Sequence, residues 1–578
     1  MADSRARDIL SAQSDMETER SLYERVWEQV AEFCDPDAPE VWRGRRTSIT
    51  GRDSQADRQV RRGSRVYANT INSAANRLAA GLESLIIPQS EKWHGLSTAA
   101  MNDEETDDEK EWAESLRDFL FGLRYSANSN FVPATQACLR NVVRYGPAYL
   151  YAEEGFGDTL IRYASIPVVE GYLSRNRWGM VDTFHRRYER TARQVAQLLG
   201  YDKLPSKVKT LVDDPTKCHT KVSLLQCIKP RDERRLYNIG GQYGYFDMPF
   251  ASYHVIEDEE AIVKESGFRS FPISTFSWRR YEGDPYGTSP TIDALVTVKE
   301  ENAVRRSGLR ALEQITDPPT ATHKSLGFVP VLNPGQNHEG LLAGDGKPMI
   351  VPINTGQNPS YAFDYAQTRA DEIRDMMFVN LFQVLVQNPN MTATEALIRN
   401  EEKGALLGPS GSIIQAGFAT NLDRELGILE EKGLYAPDSR FLPPESLAGK
   451  TVKPTFTSPL DVLRKASEAK DTLQVLQAAT QMAQFDPGVM DNIDGDEAIK
   501  VIHEAGRAPQ RIFRKQDDVV ALREQRQNAQ RAQAGMAGMA AAASVAKDAV
   551  PTAIQARDSG LMGQIAQMMP QGGQDAQQ

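Results

Sequence analysis

Cysteine is scarce: four residues, Cys34, Cys138, Cys218 and Cys227, in 578. They are scattered, and the nearest pair, Cys218 and Cys227, lacks the spacing of a zinc knuckle. Reduced structural thiols of a cytosolic compartment are the expectation. No run of 18 apolar residues occurs, so no membrane span is expected. No apolar core follows the opening Met-Ala-Asp-Ser-Arg-Ala-Arg-Asp, so no signal peptide is expected there. Positive charge is in deficit: 67 Lys and Arg against 78 Asp and Glu leave a net charge of −11. A protein that coats nucleic acid is normally basic, so any such contact must come from a local patch.

Catalytic patterns are missing as well. Gly340-Leu-Leu-Ala-Gly344-Asp-Gly346-Lys347-Pro348 departs from a phosphate loop, because Pro348 stands where Ser or Thr would hold magnesium; a hairpin turn is the reading. The seven histidines are dispersed with no His-Glu-x-x-His. Asp491 to Asp496 lacks calcium-loop spacing and reads as a helix-capping turn. No Gly-x-Ser-x-Gly elbow occurs. The acidic run Asp103 to Glu111 reads as a solvated loop entering a helix, where acids suit the dipole. No enzyme activity, cofactor or metal is expected.

What is present is an α+β chain, mainly helical. Helices are expected over 17–34, with Leu22, Val26, Val30 and Phe33 on one face, and over 66–87, to 125 and over 133–145. Strands follow at 148–152, 160–166, 180–188, 222–228, 251–256, 261–265 and 273–278, with a helix capped by Thr191. Two long helices, 289–316 and 362–387, then flank a Pro/Gly-rich insert with a short strand at 349–353. Asn388 to Asn390 breaks the pattern. A helix with a Thr392/Glu395 capping box follows, with a kink or interruption at Gly408-Pro409. Further helices are expected over 459–484 and 494–506. From about 516 the chain is polar, then rich in Ala, Gln, Gly and Met, a weak helix or disordered tail.

The first long helix carries the most informative pattern. Lys299, Arg306 and Arg310, at i, i+7 and i+11, lie within roughly 40° of one another on a helix. Val304, Ala311, Leu312 and Ile315 take the other side. A helix pair that is basic on one side and packed on the other suits a channel wall better than a catalytic pocket.

Several phrases resemble the head-to-tail connector, or portal, proteins of short-tailed bacteriophages. They run in order: Arg65-Val-Tyr67-Ala-Asn-Thr70, Ala79-Ala-Gly81-Leu82, Lys92-Trp93-His-Gly-Leu96 and Val143-Arg-Tyr145-Gly146-Pro-Ala-Tyr149. Ser266-Gly267-Phe268, Trp278-Arg279, Tyr286-Gly287, Ser289-Pro290, Asp317-Pro318-Pro319 and Met391-Thr392-Ala393-Thr394-Glu395 continue the series. His94 departs from it, standing where an aromatic residue is expected beside Trp93.

The resemblance implies a portal-type elongated subunit in a homo-oligomeric ring, typically a dodecamer, at one capsid vertex of the virion, assembled in the host cytoplasm. The ring would be a conduit for genome packaging and ejection. Its partners would be double-stranded DNA without sequence preference, the major capsid protein, the terminase large subunit and tail adaptor proteins. The implied parts are a wing (1–288), stem helices (289–316 and 362–387), a clip (317–361), a tunnel loop (388–394), wing return helices and strand (395–458), a helical crown (459–515) and a C-terminal barrel helix with disordered tail (516–578). Lys299, Arg306, Arg310, Asn388 and Asn390 become candidates for the DNA channel. His323, Lys324 and Lys347 become candidates for terminase or tail contact. The three stem bases either face DNA or pair with Glu300, Glu301, Asp371 or Glu372 of a neighbouring subunit; Arg369 and Arg374 share that ambiguity. Asn388 and Asn390 touch DNA, or Pro389 merely ends the helix. The rival from another class is a structural adaptor or scaffold that never meets DNA.

Overall fold

The computed structural model describes residues 4–35, 66–98, 106–231, 248–382, 393–482, 492–506 and 518–534, apart from short gaps within these stretches. The chain divides into a unit spanning Met1–Arg507 and a second spanning Ala508–Gln578, whose described part is an exposed helix over 518–534.

The first unit opens with α1 (Ser4–Phe33), α2 (Thr70–Ile86), β1 (His94–Ser97), α3 (Asp107–Arg124) and α4 (Phe131–Tyr145). Next come β2 (Ala148–Glu154), β3 (Ile161–Ile166), β4 (Gly171–Arg175), β5 (Val181–Thr191), α5 (Ala192–Leu199) and α6 (Ser206–Asp213). Strands β6 (Lys221–Pro230), β7 (Phe250–Ile256), β8 (Ala261–Phe268) and β9 (Ile273–Phe276) precede a helical turn, Pro290–Asp293, and α7 (Leu295–Thr316). The insert holds β10 (Thr320–Thr322) and β11 (Ile350–Pro352). Then follow α8 (Pro359–Met376), α9 (Ala393–Glu431), β12 (Lys453–Phe456), α10 (Pro459–Met482) and α11 (Gly495–Gly506).

The largest sheet is the antiparallel meander β4-β5-β6-β7-β8. Successive side chains on a strand point to opposite faces. Leu225, Cys227, Ala251, Tyr253 and Val255 therefore meet Ala6 and Ile9 of α1, while Val222, Leu224, Ile256 and Val263 meet α5 and α6. Burial on both faces explains the near-continuous apolar run of β6. A second sheet, β3-β2-β9, lies in the main core with α4 and α9. There Gly417 of α9 comes so close to Phe276 that an added Cβ would sit 2.5 Å from the ring.

Four expectations are revised. First, α1 begins at Ser4 rather than residue 17, because Ala6 and Ile9 extend its buried face onto the large sheet. Second, Leu22 is exposed; the packed face keeps Val30, with Val26 and Phe33 half-buried beside it, and adds Arg20 and Trp27. Arg20 holds its place by donating to the carbonyls of Gly171 (2.8 Å) and Val169 (3.1 Å) and lying 3.6 Å over the Tyr172 ring. Third, β1 was not anticipated, because its partner is the distant β12. Fourth, α9 runs unbroken through Pro409. Leu407, Ile414 and Phe418, buried on both sides of the proline, supply the packing that offsets one missing backbone donor.

The caps agree with the acid-rich starts. Thr106 and Glu109 form a reciprocal capping box on α3, and Asp494 accepts from the amides of Asp496 and Glu497 at the head of α11. Among the described residues no helix is long and apolar enough to cross a membrane, and no group of three or more His, Cys, Asp or Glu is disposed to hold a metal ion.

A buried charged cluster ties the core together. Arg124, at the end of α3, donates to both oxygens of Glu425 on α9 at 3.0 and 3.1 Å, and both residues are buried. Tyr163 of β3 donates to Glu425 at 2.6 Å, Asn421 donates to it from one turn away, and Arg124 also meets Nε2 of His94. His94 stacks on Phe121, so the imidazole fills the aromatic position while accepting from the guanidinium. Burial, then the Arg124 charge, lowers its pKa to about 2. Burial is also the first cause that lowers His185 and His254, each to about 4.

Removing one partner of a buried ion pair leaves the other charge uncompensated. Arg124→Met is expected to cost about 3–5 kcal/mol in chemical denaturation. Loss of less than about 1 kcal/mol would show that the pair is dispensable. For His94, the folded state binds fewer protons than the unfolded chain, so stability falls as pH drops below about 6.5. Each such histidine contributes about 1.4 kcal/mol per pH unit across that window. His94→Gln keeps an acceptor for Arg124 but cannot titrate. Its melting temperature should fall less steeply between pH 6.5 and 4.5 than that of the wild type; identical slopes would contradict the assignment.

Candidate functional site

The helix pair is positioned from its root. Ser289 caps the turn Pro290–Asp293 by accepting from the Ile292 amide (3.1 Å), and its hydroxyl donates to the Arg144 carbonyl at 2.9 Å. Proline at the first helical position has no amide to leave orphaned. The chain bends at Ala294 (φ −79°, ψ −6°), so the expected single run over 289–316 is a turn followed by α7. The 22 residues of α7 span about 33 Å. Its first half is embedded: Glu301 is fully buried and accepts from Thr70 (2.8 Å) and Arg305 (2.9 Å), and Asn302 accepts from the Tyr67 amide (2.6 Å).

Farther along, α7 runs antiparallel to α8, since Gly308 approaches Ala362 and Phe363 while Glu300 approaches Arg369. A Cβ on Gly308 would lie 3.3 Å from Cβ of Ala362. Gly308 is buried, as are Ala366, Ala370 and Ile373 on α8. Small side chains at these positions let the two backbones draw close. α8 is interrupted after Met376, where Phe378 takes a left-handed backbone (φ 54°), and helix resumes over 379–382; the rest of the expected run to Gln387 lies outside the described residues. A bulky residue holds that conformation only under packing. Met377 and Val379 are buried beside it, and its ring lies 6.1 Å from Trp278. Asn388, Asn390 and the Thr392 capping box lie outside the described residues.

The charges on the pair separate into used and unused groups. Lys299 donates to Gln29 of α1 at 2.6 Å. Arg369 pairs with Glu372 at 2.7 Å and reaches Glu300 at 3.8 Å, and Arg374 pairs with Asp371. Glu301 serves Arg305 and Thr70 of its own chain. The acids weighed as partners for the stem bases are thus engaged within the protomer. Arg306 and Arg310 are exposed and make no ion pair with a described residue. Gly308 sits two residues from each, about 200° round the helix, so the two guanidinium groups project from the side opposite the helix contact. Glu313 and Asp317, also exposed, share that side farther along; the face is basic in its middle and acidic at its end.

The insert is a small antiparallel ladder, Thr320↔Pro352 to Thr322↔Ile350. The Gly344–Gly346 segment is a turn, with the Gly346 amide donating to the Ala343 carbonyl at 2.8 Å. His323, Lys324 and Lys347 are all exposed on this insert, and Lys347 lies 3.5 Å from Asp345. The three are brought to one small unit, apart from Arg306 and Arg310. Sequence patterning missed the buried roles of Glu301 and Asn302. The available signal for Gly308 was a glycine inside a run of helix formers.

Gly308→Leu should force α7 and α8 apart and cost about 1–3 kcal/mol by overpacking. Hydrogen exchange over 303–316 and 359–370 should accelerate, with the large sheet unchanged. Unaltered exchange in both helices would refute the close approach.

The model of the bacteriophage head to tail connecting protein family matches residues 6–513. The chain is similar to the portal protein of Salmonella phage epsilon15, 28% identical over 538 residues, covering 91% of this chain and 92% of that one. It is also similar to the probable portal protein of Bordetella phage BPP-1, 24% identical over 504 residues, covering 84% and 85% of the two chains. Among solved structures, a chain from the neck of an empty gene transfer agent particle, computed with C6 symmetry, aligns with a TM-score of 0.33 at 11% identity, covering 75% of this chain and 89% of that one. A score that low carries no argument about this chain.

Proposed function

The chain belongs to the bacteriophage head to tail connecting proteins, and from that premise we propose how its geometry serves a phage portal. It is a structural component of the virion, and its relatives' names favour a portal over an adaptor or scaffold that never meets DNA.

In the proposed reading, copies of the chain form a closed ring, typically of twelve, at one capsid vertex. α7 and α8 make the wall of the passage, and double-stranded DNA moves through it during packaging by the terminase and again during ejection. The major capsid protein contacts the body. The insert bearing His323, Lys324 and Lys347 meets the terminase large subunit and later the tail adaptor proteins. The chain itself performs no catalysis.

The observation that carries this reading is the pair Arg306 and Arg310. They are exposed bases without an ion-pair partner among the described residues, on the helix face away from α8, in a chain of net charge −11. Ring symmetry turns each into a ring of guanidinium groups. Such contacts engage phosphates whatever the sequence and weaken with salt. A mostly acidic surround limits adhesion, so DNA is guided without being held. Lys299, committed to Gln29, contributes less. Asn388 and Asn390 remain proposed as neutral polar contacts at the narrowing of the passage.

The test is the double variant Arg306→Gln/Arg310→Gln. Electron micrographs should show rings like those of the wild type, with a central hole of duplex width. DNA packaged per head, or retained in filled heads, should fall severalfold. Normal packaging through intact variant rings would refute the channel role.

A further inference from the structure

A second surface lies where two loops meet beside the root of the helix pair. The hairpin between β4 and β5 presents Trp178 and Met180, 67% and 61% exposed, and the loop that precedes Ser289 presents Tyr281, 62% exposed. Large apolar groups exposed together on a soluble protein mark an interaction site.

These groups are held in place. Asn176 accepts from the amides of Trp178 (3.0 Å) and Met180 (3.1 Å), and Gly179 takes a left-handed backbone (φ 77°) that closes the turn. Arg175 donates to the Pro285 carbonyl at 2.8 and 3.0 Å and to the Gly179 carbonyl at 2.9 Å, and Arg280 donates to that same carbonyl at 3.3 Å. The second loop is anchored in turn by Asp284, which accepts from Tyr23 of α1 at 2.9 Å and from the amides of Tyr286 and Gly287. Arg177 lies 4.2 Å over the Trp178 ring. The backbone beneath the tryptophan is thus held, and little backbone ordering entropy is lost when the surface is covered.

Arg177, Arg280 and Glu282 rim the apolar groups, and none makes an ion pair with a described residue. A rim carrying both signs suits a mixed protein surface better than a polyanion such as DNA or an anionic membrane, which Glu282 would repel. Trp, Tyr, Arg and Met are the residues enriched at the centres of protein interfaces. A copy of this chain, acidic overall at −11, supplies carboxylates for the two arginines. A closed ring also requires that one patch meet a different patch on the next copy.

We propose that Trp178, Met180 and Tyr281, rimmed by Arg177, Arg280 and Glu282, form one half of a subunit–subunit contact, seated in an apolar hollow with carboxylates on the neighbouring copy. This rests on the ring reading given above.

The test uses the full chain and two variants, Trp178→Ala/Tyr281→Ala and Arg177→Glu. All three side chains are exposed, so thermal unfolding of the protomer should be unchanged. Sedimentation velocity over a concentration series should show each variant needing at least tenfold more protein to form rings. Rings forming at the wild-type concentration would overturn the proposal. Normal rings that fail to enter heads would assign the surface to another virion protein and overturn it too. So would normal rings combined with vesicle binding, by the wild type only, to phosphatidylglycerol. A wild type that stays monomeric at every concentration would instead defeat the ring reading itself.

Discussion

The pairing of Arg124 with Glu425 is the constraint around which the first unit closes. A guanidinium and a carboxylate separated by 301 residues meet in the core, and neither is exposed. A buried ion pair is weak evidence for net stability, since an apolar pair of similar volume could serve as well. Its force here is in specification. The pair admits one register of α9 against α3, because a slip of one turn would strand both charges. Tyr163 and Asn421 spend the remaining lone pairs of Glu425, and His94 takes a remaining donor of Arg124. β1, α3, β3 and α9 are thereby tied together at a point rather than across a face.

That choice explains why part of the fold was legible and part was not. Strands β5 to β8 of the large sheet stand out because β-branched and aromatic residues run in short stretches between turns, and a strand stands at each expected position from 148 to 276; β4, five residues at Gly171–Arg175, was not anticipated. Helix ends marked by Thr191, Ser289 and Asp494 are equally plain, since the capping chemistry is local. Arg20, Arg124 and His94 escape any reading by periodicity, because charged or polar residues occupy core positions through partners far along the chain. The same misreading set Leu22 on the buried face in place of Arg20. β1 is illegible for a related reason: four residues declare themselves a strand only when Lys453–Phe456 arrives.

The helix pair follows a different economy. Its basic stripe was visible, and so was an apolar one on the side of Gly308, but only Val304 and Ala311 of that stripe are half-buried, while Leu312 and Ile315 are exposed. The sequence could not say how the charges would be spent. Arg305, Arg369 and Arg374 consume the acids around them, and Lys299 turns to α1. Arg306 and Arg310 remain, and the opposed position of Gly308 sets their direction. Two residue types thus divide the labour on one helix: glycine draws the partner helix close on one side, and arginine is left toward solvent on the other.

The ladder of β1 with β12 pairs His94 with Phe456 and Ser97 with Lys453. During synthesis the first of these strands leaves the ribosome some 360 residues before its partner. At about 5–20 residues per second that interval is roughly 20–70 s. The meander, whose strands all lie between residues 171 and 268, can close in that time, while the apolar face around Trp93 and Phe121 waits for Phe418 and Phe456. A chain truncated before residue 453 therefore lacks one wall of that core, and the aromatic cluster around Trp93 closes only once Lys453–Phe456 has emerged.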